Sequence, residues 1–384
     1  MSWRSCKLGD VMTLKRGHDL PADSRHDGDV PVVSSSGITG RHNESKAKAP
    51  GVVTGRYGTI GQVFYLEEDY WPLNTALYVI DFKGNDPQFL AYFLRNALKG
   101  YHSEKAAIPG VDRNVLHQIA VRAPDFDTQQ RIVAILAAYD DLIEKNRRRM
   151  ALLEDSARAL YNEWFVRLRF PGHEHTPIID GVPQGWSIVS LAKITMKIGS
   201  GSTPRGGDSS YVVEGTPLIR SMNIYNEFFD DSGLVFLDEN QASLLAGVTV
   251  QSKDILINIT GASVARCCMA PENYLPARVN QHVMIIRIDP NKADPFFVHK
   301  AINSDERKRL LVSYAQKGAT REALTKEGMA RVEVTLPTVI LMLQFSEIAA
   351  LSFRQREVLA LQNQKLRAAR DLLLPRLMSG ELAA

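Results

Sequence analysis

The stretch DTQQRIVAILAAYDDLIEKNRRRMALLEDSARALYNEWFVRLRF, residues 127–170, decides how the rest of the chain is organised. Its apolar residues recur at alternating steps of four and three, as in the seam of a coiled coil. They are Ile132, Leu136, Tyr139, Ile143, Met150, Leu153, Ala157, Leu160 and Trp164. The position between Ile143 and Met150 holds Asn146, and a buried amide at such a position fixes helix register. The stretch predicts a long helix, N-capped by Asp127 with Gln130 three residues on, that pairs with another helix.

Composition is that of a folded protein without membrane segments. The chain has 384 residues, enough for two or three domains, with 45% hydrophobic and 23% charged residues. It contains no apolar run of about 18 residues and no signal peptide, so we expect a cytoplasmic protein with no membrane contact. The three cysteines, Cys6, Cys267 and Cys268, form neither a disulfide framework nor a zinc pattern.

The β-rich segment before the long helix recurs after it. Trp3–Leu8 is echoed by Trp186–Leu191, at an offset of 183 residues. The other matched blocks are 29–38 with 215–224, 50–63 with 254–267, 71–82 with 277–288, 86–95 with 294–303, and 110–124 with 318–337. A second helical segment, 339–377, follows the second copy and is expected to kink or end at Pro375. The pattern indicates duplication of a whole domain together with its helix.

The second helical segment has a less regular seam than the first. Its predicted seam residues are Phe345, Ile348, Leu359, Leu366 and Leu373, interrupted by Gln355 and Gln362. Two such helices can pair antiparallel and bury their seams together. At 1.5 Å per residue, a helix of about 38 residues is about 57 Å long and would hold two domains apart.

The predicted fold class is therefore α/β, or α+β. Two pseudo-repeated β-rich domains are separated by two long antiparallel coiled-coil helices. The predicted boundaries are 1–126 for the first domain, 127–170 for the central helix, 171–185 for a linker, 186–337 for the second domain and 338–378 for the C-terminal helix.

Three stretches, together with the two tryptophan segments, carry a resemblance to a known family. They are TQQRIVAILAAYDDLIEKNRR (128–148), ALYNEWFVRLRFPG (159–172) and QNQKLRAARDLLLPRLMSGEL (362–382). The chain resembles the specificity subunits of type I restriction-modification systems, often called HsdS. The resemblance implies that two target recognition domains each read one half of a bipartite double-stranded DNA target. It also implies that the helices dock two modification (methyltransferase) subunits, which restriction (nuclease-translocase) subunits then join.

Catalytic motifs are missing from the sequence. There is no Asn/Asp-Pro-Pro-aromatic loop for adenine methylation and no phosphate-binding P-loop. His173 and His175 lie in the linker and are expected to be solvated rather than to bind metal. We therefore expect no catalytic residue, metal or cofactor in this chain. By the resemblance, S-adenosylmethionine, ATP and Mg²⁺ belong to the partner subunits.

DNA contacts are expected from polar and basic residues in loops, because such side chains reach base edges and phosphates. The candidates are Ser35, Ser36, Arg41, His42, Arg56, Tyr57, Lys105 and Arg113 in the first copy, and Arg205, Arg220, Ser221, Asn223, Tyr225, Thr260, Arg266, Lys317 and Arg321 in the second. The copies differ here, with SSSGITGR (34–41) against RSMNIYNE (220–227). Such divergence is expected of domains that read different half-targets.

Two other classes of function remain open at this point. One is a coiled-coil scaffold whose duplicated domains bind protein, which the small net charge of +3 favours. The other is a fused enzyme, against which the missing motifs argue. A footprint on DNA separates these classes.

Overall fold

The computed structural model describes residues 3–56, 61–99, 111–204, 206–316 and 323–384. The chain forms two compact units. Unit 1 comprises Met1–Lys145 and Gln362–Ala384, and unit 2 comprises Asn146–Leu361. Each unit contains part of both long helices, and the domain boundaries given above stay a prediction.

Unit 1 is built around an antiparallel sheet. Its strands are β1 (Trp3–Lys7), β2 (Thr13–Arg16), β3 (Val30–Ser34), β4 (Gly37–His42), β5 (Gly51–Gly55), β6 (Val63–Leu66), β7 (Trp71–Pro72), β8 (Ala76–Asp81) and β9 (Ala120–Pro124). Its helices are α1 (Leu8–Val11), α2 (Pro87–Ala97), α3 (Arg113–His117) and the first part of α4 (Phe126–Tyr161). The main sheet has the order β2-β8-β5-β6, β1 pairs with β9, and β3 lies between β4 and β7.

Helix α2 closes the core of unit 1 against β5 and β6. It starts cleanly because the Asp86 carboxylate accepts a hydrogen bond from the Phe89 N–H, and Pro87 occupies the first turn. Its residues Phe89, Leu90 and Leu94 are fully buried. The sequence pattern of this segment predicts the helix correctly.

Unit 2 contains the second copy. Its strands are β10 (Ile178–Ile179), β11 (Val182–Pro183), β12 (Ser187–Ser190), β13 (Thr195–Ser200), β14 (Tyr211–Val212), β15 (Thr216–Ile219), β16 (Val235–Leu237), β17 (Thr249–Val250), β18 (Ile255–Asn258), β19 (Cys267–Met269), β20 (Ala277–Val279), β21 (Val283–Ile288) and β22 (Glu333–Leu336). Its helices are α5 (Leu191–Ile194), α6 (Glu239–Leu244), α7 (Pro295–Asn303), α8 (Asp305–Gln316) and α9 (Lys326–Ala330). It also contains the last part of α4 and the first part of α10 (Val339–Ser379), whose last part belongs to unit 1.

The predicted repeat is confirmed by strand order. The main sheet of unit 2 runs β13-β21-β18-β19, which matches β2-β8-β5-β6 strand for strand. Strand β12 pairs with β22 as β1 pairs with β9, and β15 runs parallel to β20 as β3 does to β7. Helix α7 is capped by Asp294 as α2 is by Asp86. The second sheet of unit 2 is larger, with five strands, β14-β16-β15-β20-β17.

In unit 1, α4 and the end of α10 pack as an antiparallel pair. The side-chain amide of Asn363 donates to the Ile143 carbonyl at 3.2 Å, and Arg370 forms an ion pair with Asp140. The partner residue number on α10 therefore rises as the number on α4 falls. Ile132 and Leu136 of α4 share one buried cluster with residues of α10, Leu374, Leu377 and Met378 among them.

Unit 2 contains the same kind of pair. The Ser352 hydroxyl donates to the Leu153 carbonyl at 3.3 Å, and Arg356 forms an ion pair with Glu154. Tyr161 of α4 packs edge-on against Phe345 of α10, with ring centroids 5.7 Å apart. The predicted fold class, with two long helices paired antiparallel, is confirmed.

The ends of both helices differ from prediction. The cap of α4 is Asp125 rather than Asp127, since the Asp125 carboxylate accepts from the Thr128 N–H at 2.9 Å. The α-helix ends at Tyr161 and passes into a π-helical turn at Asn162–Val166. Helix α10 continues through Pro375 to Ser379, so this proline does not end it.

The predicted seam of α4 is confirmed, whereas that of α10 is partly wrong. All the predicted α4 seam residues, Asn146 included, are buried or half-buried. On α10, Ile348 is 47% exposed and Gln355 and Gln362 are exposed. The seam instead runs through Phe345, Ala349, Ser352, Arg356, Leu359, Asn363, Leu366 and Arg370, at steps of four and three. Polar residues at seam positions disguise it in the sequence.

Candidate nucleic-acid interface

The tip of the β3–β4 hairpin in unit 1 is a two-residue turn, Ser35–Ser36. The buried Ser34 hydroxyl shapes it by accepting from the Ser36 N–H at 3.1 Å and donating to the Gly37 carbonyl at 3.3 Å. Gly37 has a φ of 103°, a value that favours glycine. Ser36 is exposed and Ser35 half-buried, so this tip can present hydroxyl groups to a ligand.

Arg41 and His42, which end the same hairpin, have different surroundings. Arg41 is exposed, donates to the Asp29 carbonyl and lies 4.0 Å from the Glu68 carboxylate. His42 is buried, with its Nδ1 accepting from the His26 N–H at 3.0 Å and its ring 5.1 Å from that of Trp71. The buried His42 side chain therefore packs inside the hairpin, and its contact with DNA stays a prediction.

Arg56 and Arg113 lie at two other edges of unit 1. Arg56 follows β5 and is half-buried, with its backbone N–H bonded to the Thr75 carbonyl at 2.9 Å. Its carbonyl accepts from the Val111 N–H at 2.8 Å. Arg113 is exposed at the first residue of α3. Both guanidinium groups carry positive charge at the unit surface.

In unit 2 the loop that follows β15, residues 220–234, is held by Asn223 at its centre. The fully buried Asn223 amide accepts from the Arg220 N–H at 3.0 Å and donates to the Asp230 carbonyl at 2.9 Å. Arg220 reaches across the loop to the Gly233 carbonyl at 2.7 Å and lies over the Tyr211 ring. Asn223 is thus a structural residue of the loop, and Arg220 is engaged within it.

Ser221 and Thr260 border this loop. The Ser221 carbonyl accepts from the Asn258 amide at 2.8 Å, which ties the loop to β18. Thr260 follows β18, is half-buried, and places its hydroxyl 2.7 Å from Nδ1 of His282. Both hydroxyl-bearing residues lie near the end of one buried strand.

Tyr225 and Arg266 are brought together by the structure. The Arg266 guanidinium lies 4.8 Å from the centroid of the Tyr225 ring, and Tyr225 stacks on Phe228 with centroids 4.8 Å apart and planes 15° from parallel. Phe228 is 46% exposed. Sequence reasoning missed Phe228, because the candidates were chosen among polar and basic loop residues and the stacking of Phe228 on Tyr225 is visible only in the structure.

The comparison with known sequences gives the family. The family described as "Type I restriction modification DNA specificity domain" matches residues 2–155. The type I restriction enzyme HindI specificity subunit of Haemophilus influenzae is 21% identical, over 84% of this chain and 84% of its own length. The MjaIX specificity subunit of Methanocaldococcus jannaschii is 24% identical, over 72% of this chain and 64% of its own length. Residues 2–155 are thus similar to the type I DNA specificity domain, and the similarity to type I specificity subunits extends over most of the chain.

A solved structure agrees in fold. The type I restriction-modification S subunit from M. genitalium matches with a TM-score of 0.60 at 15% sequence identity, covering 98% of this chain and 96% of that one. The sequence comparisons and this structural match together bear out the resemblance drawn from the residues. The description of the matching family model names DNA specificity, so the loops described above are the candidate interface for DNA.

Five predicted contact residues lie outside the described part of the chain: Tyr57, Lys105, Arg205, Lys317 and Arg321. Of the others, Ser35, Ser36, Arg41, Arg56, Arg113, Ser221, Tyr225, Thr260 and Arg266 are exposed or half-buried in loops or at element ends. Their contact with DNA remains a prediction. In the described ranges no helix is apolar enough to span a bilayer, and no three or more His, Cys, Asp or Glu side chains cluster as metal ligands do.

Sequence reasoning also missed a buried ionic network in unit 2. Lys300 of α7 and Arg356 of α10 both form ion pairs with Glu154 of α4. Lys300 also bonds to the Glu227 carboxylate at 2.8 Å. All four side chains are largely buried, and the two cations balance the two carboxylates. The signal in the sequence is the pair His299-Lys300 inside the apolar run of α7.

His299 lies beside this network in its neutral form. Burial lowers the pKa of His299 to about 3, and the positive charge of the nearby Lys300 contributes to this shift. Its Nδ1 lies 3.7 Å from the Glu227 carboxylate. A neutral imidazole fits there because the positive charges of Lys300 and Arg356 already balance the two carboxylates.

Unit 1 has a smaller counterpart. The Tyr92 hydroxyl of α2 donates to Asp140 of α4 at 2.6 Å, and Arg370 of α10 pairs with the same carboxylate. Tyr92 and Lys300 occupy matching positions of the two copies. In each unit, therefore, one carboxylate of α4 joins α10 to the helix that covers the β-sheet.

Proposed function

We propose that this chain is the DNA-specificity subunit of a type I restriction-modification complex. Unit 1 and unit 2 each read one half of a bipartite double-stranded target. The paired helices α4 and α10 set the spacing of the two halves and dock two modification (methyltransferase) subunits, which restriction (nuclease-translocase) subunits join. The chain itself is non-catalytic, and S-adenosylmethionine, ATP and Mg²⁺ act on the partner subunits.

One observation carries the proposal: the two units share a strand order but differ in the loops at corresponding places. The turn Ser35–Ser36 connects β3 to β4 in unit 1, whereas the longer loop 220–234 follows the matching strand β15 in unit 2. A common framework with divergent loops is what two half-targets of different sequence require. Base identity is read by side chains at the groove edges, while the scaffold only positions them.

The helix pairs support a spacing role. Helix α4 has 36 residues and α10 has 41, and the pairing is antiparallel within each unit. A helix of that length is on the order of 55 Å long at 1.5 Å per residue. Such helices can fix the number of base pairs between two half-targets, at about 3.4 Å per base pair.

Exposed apolar residues on both helices support subunit docking. They are Phe126, Leu142 and Leu372 in unit 1, and Leu152, Val339, Ile340, Leu343, Ile348, Leu351 and Val358 in unit 2. Exposed apolar side chains on a helix surface lose contact with water when a partner protein covers them, which favours binding of that partner. Two such helices, one from each copy, suit two copies of one partner.

The test is a footprint on DNA. The chain is assembled with its methyltransferase subunits on a genomic DNA library, and protected fragments are sequenced after nuclease digestion. We expect two short protected blocks separated by an unprotected gap of constant length. The chain without its partners is the control, and it should transfer no methyl group from S-adenosylmethionine. A single continuous block, or no footprint as a protein-binding scaffold would give, contradicts the proposal.

A further inference from the structure

A small hairpin lies within the loop that follows β15. Ile224 and Phe229 form its β-bridge, and the Tyr225 N–H donates to the Phe228 carbonyl at 3.1 Å. We call residues 224–229 the stacked hairpin. Unit 1 has only the Ser35–Ser36 turn at the corresponding place. The stacked hairpin is thus particular to the second copy, where the half-target is expected to differ.

Three flat groups are layered on the stacked hairpin. The Arg266 guanidinium lies over the Tyr225 ring at 4.8 Å, and Tyr225 stacks nearly parallel on Phe228 at 4.8 Å. Arg266 and Tyr225 are half-buried, whereas Phe228 is 46% exposed. Phe228 is therefore the layer of this stack that solvent reaches most freely.

Glu227 anchors the stacked hairpin from below. Its φ is 70°, which is uncommon for a residue other than glycine, and its carboxylate is buried against Lys300 at 2.8 Å. Its carbonyl accepts from Arg356 Nη2 at 2.6 Å, and its N–H donates to the Cys267 carbonyl at 2.8 Å. The carboxylate, the carbonyl and the N–H of Glu227, the residue before Phe228, are therefore all held by hydrogen bonds.

The anchor matters because a buried carboxylate costs several kcal/mol unless it is paired. Lys300 supplies that pairing for Glu227. Here the buried charge and the unusual backbone angle hold Tyr225 and Phe228 in one orientation before any ligand arrives. Holding a contact residue rigid in advance is what strengthens binding, since less conformational freedom is lost.

We propose that Phe228 is a DNA-contact residue of unit 2, which stacks on a nucleobase at a base step of the second half-target. Aromatic and guanidinium planes stack on nucleobases, and apolar side chains can wedge between base pairs of a duplex. Tyr225 stacks on Phe228, Arg266 lies over the Tyr225 ring, and Glu227 is a positioning residue. The inference rests on the proposed function and deepens it, since it assigns the kind of contact that unit 2 makes.

The test uses the complex with its methyltransferase subunits and a duplex that carries its footprinted target. 2-Aminopurine, which brightens when it is unstacked, replaces one base at a time in each half-target. We expect one position of the second half-target to brighten with the wild-type complex and to stay dark with Phe228→Ala. The affinity of Phe228→Ala should be about tenfold lower, in line with the loss of one stacked base.

Matched variants make the result decisive. Leu244→Ala removes an apolar side chain of the same unit that is 76% exposed but lies on α6, and it should behave as wild type. Phe228→Trp, which keeps an aromatic plane at this position, should keep the wild-type affinity. Equal affinity and fluorescence for Phe228→Ala and wild type would overturn the inference, as would a loss confined to methyltransferase binding. If the wild-type complex gave no footprint, the proposed function itself would fail, which is a distinct outcome.

Discussion

Glu154 shows most clearly how single polar residues join the β-rich parts to the helices. Its two carboxylate oxygens bond to Lys300 and to Arg356, and all three side chains are largely buried. Dehydrating these charges is expensive, and only their mutual pairing offsets the cost. The network therefore adds little to the net free energy of unfolding. It does favour the one arrangement of α4, α7 and α10 in which all of these charges are paired.

Removing one charge from this buried network should lower the free energy of unfolding far more than removing an exposed charge on the same helix. Glu154→Gln leaves Lys300 and Arg356 with Glu227 as the remaining carboxylate, so we expect a loss of about 3–5 kcal/mol. The double variant Glu154→Gln/Arg356→Gln restores charge balance and should lose less than the two single changes combined, by about 1–3 kcal/mol. The measurement is the apparent free energy of unfolding in urea.

Asp155 provides the matched control, since it is the next residue on the same helix and its ion pair with Arg158 is exposed. Asp155→Asn should cost less than about 1 kcal/mol. Equal losses for Glu154→Gln and Asp155→Asn would show that the buried network does not form.

At the scale of elements, the seam of α4 could be predicted from sequence because its residues are nearly all apolar. The seam of α10 could not, because Ser352, Arg356, Asn363 and Arg370 occupy seam positions. A search for apolar residues then selects Ile348, one residue out of place. These polar side chains are tolerated there because Ser352, Arg356 and Asn363 bond to α4 within their own units.

The corrected seam predicts unequal costs for two apolar truncations on α10. Phe345 is fully buried, so Phe345→Ala should cost about 3–5 kcal/mol, as large-to-small core changes do. Ile348 is 47% exposed, so Ile348→Ala should cost less than about 1 kcal/mol. Thermal and urea unfolding of the two variants measure this difference. A larger loss of stability from Ile348→Ala than from Phe345→Ala would show that Ile348 is a seam residue, as the sequence pattern predicts.

The repeat, the main strands and the capped helices α2 and α7 were also accessible from sequence, since apolar runs and Asp-Pro caps are local signals. The candidate interface was less accessible. Burial of His42 and Asn223, and the pairing of Arg266 with Phe228 through Tyr225, depend on contacts between residues far apart in the chain. A list of loop residues cannot distinguish a side chain that supports a loop from one that faces solvent.

At the scale of the whole molecule, the proposal divides one recognition task between two copies of a domain. Each copy has its own loops for contacting DNA. Each copy also has its own set of side chains that joins the helix covering its sheet to α4 and α10, namely Tyr92–Asp140–Arg370 in unit 1 and Lys300–Glu154–Arg356 in unit 2. Changes in the loops of one unit should then alter one half of the target and leave the other half and the gap unchanged. Independent half-targets are the central claim.

The most direct measurement is the map of methylated adenines on both DNA strands, made by the complete complex with wild-type chain, Ser36→Ala or Arg266→Ala. For the wild type the account predicts a motif of two specified blocks around a gap of constant length. Ser36→Ala should relax one block only, and Arg266→Ala the other block only. A continuous motif, or relaxation of the same block by both variants, would contradict the account.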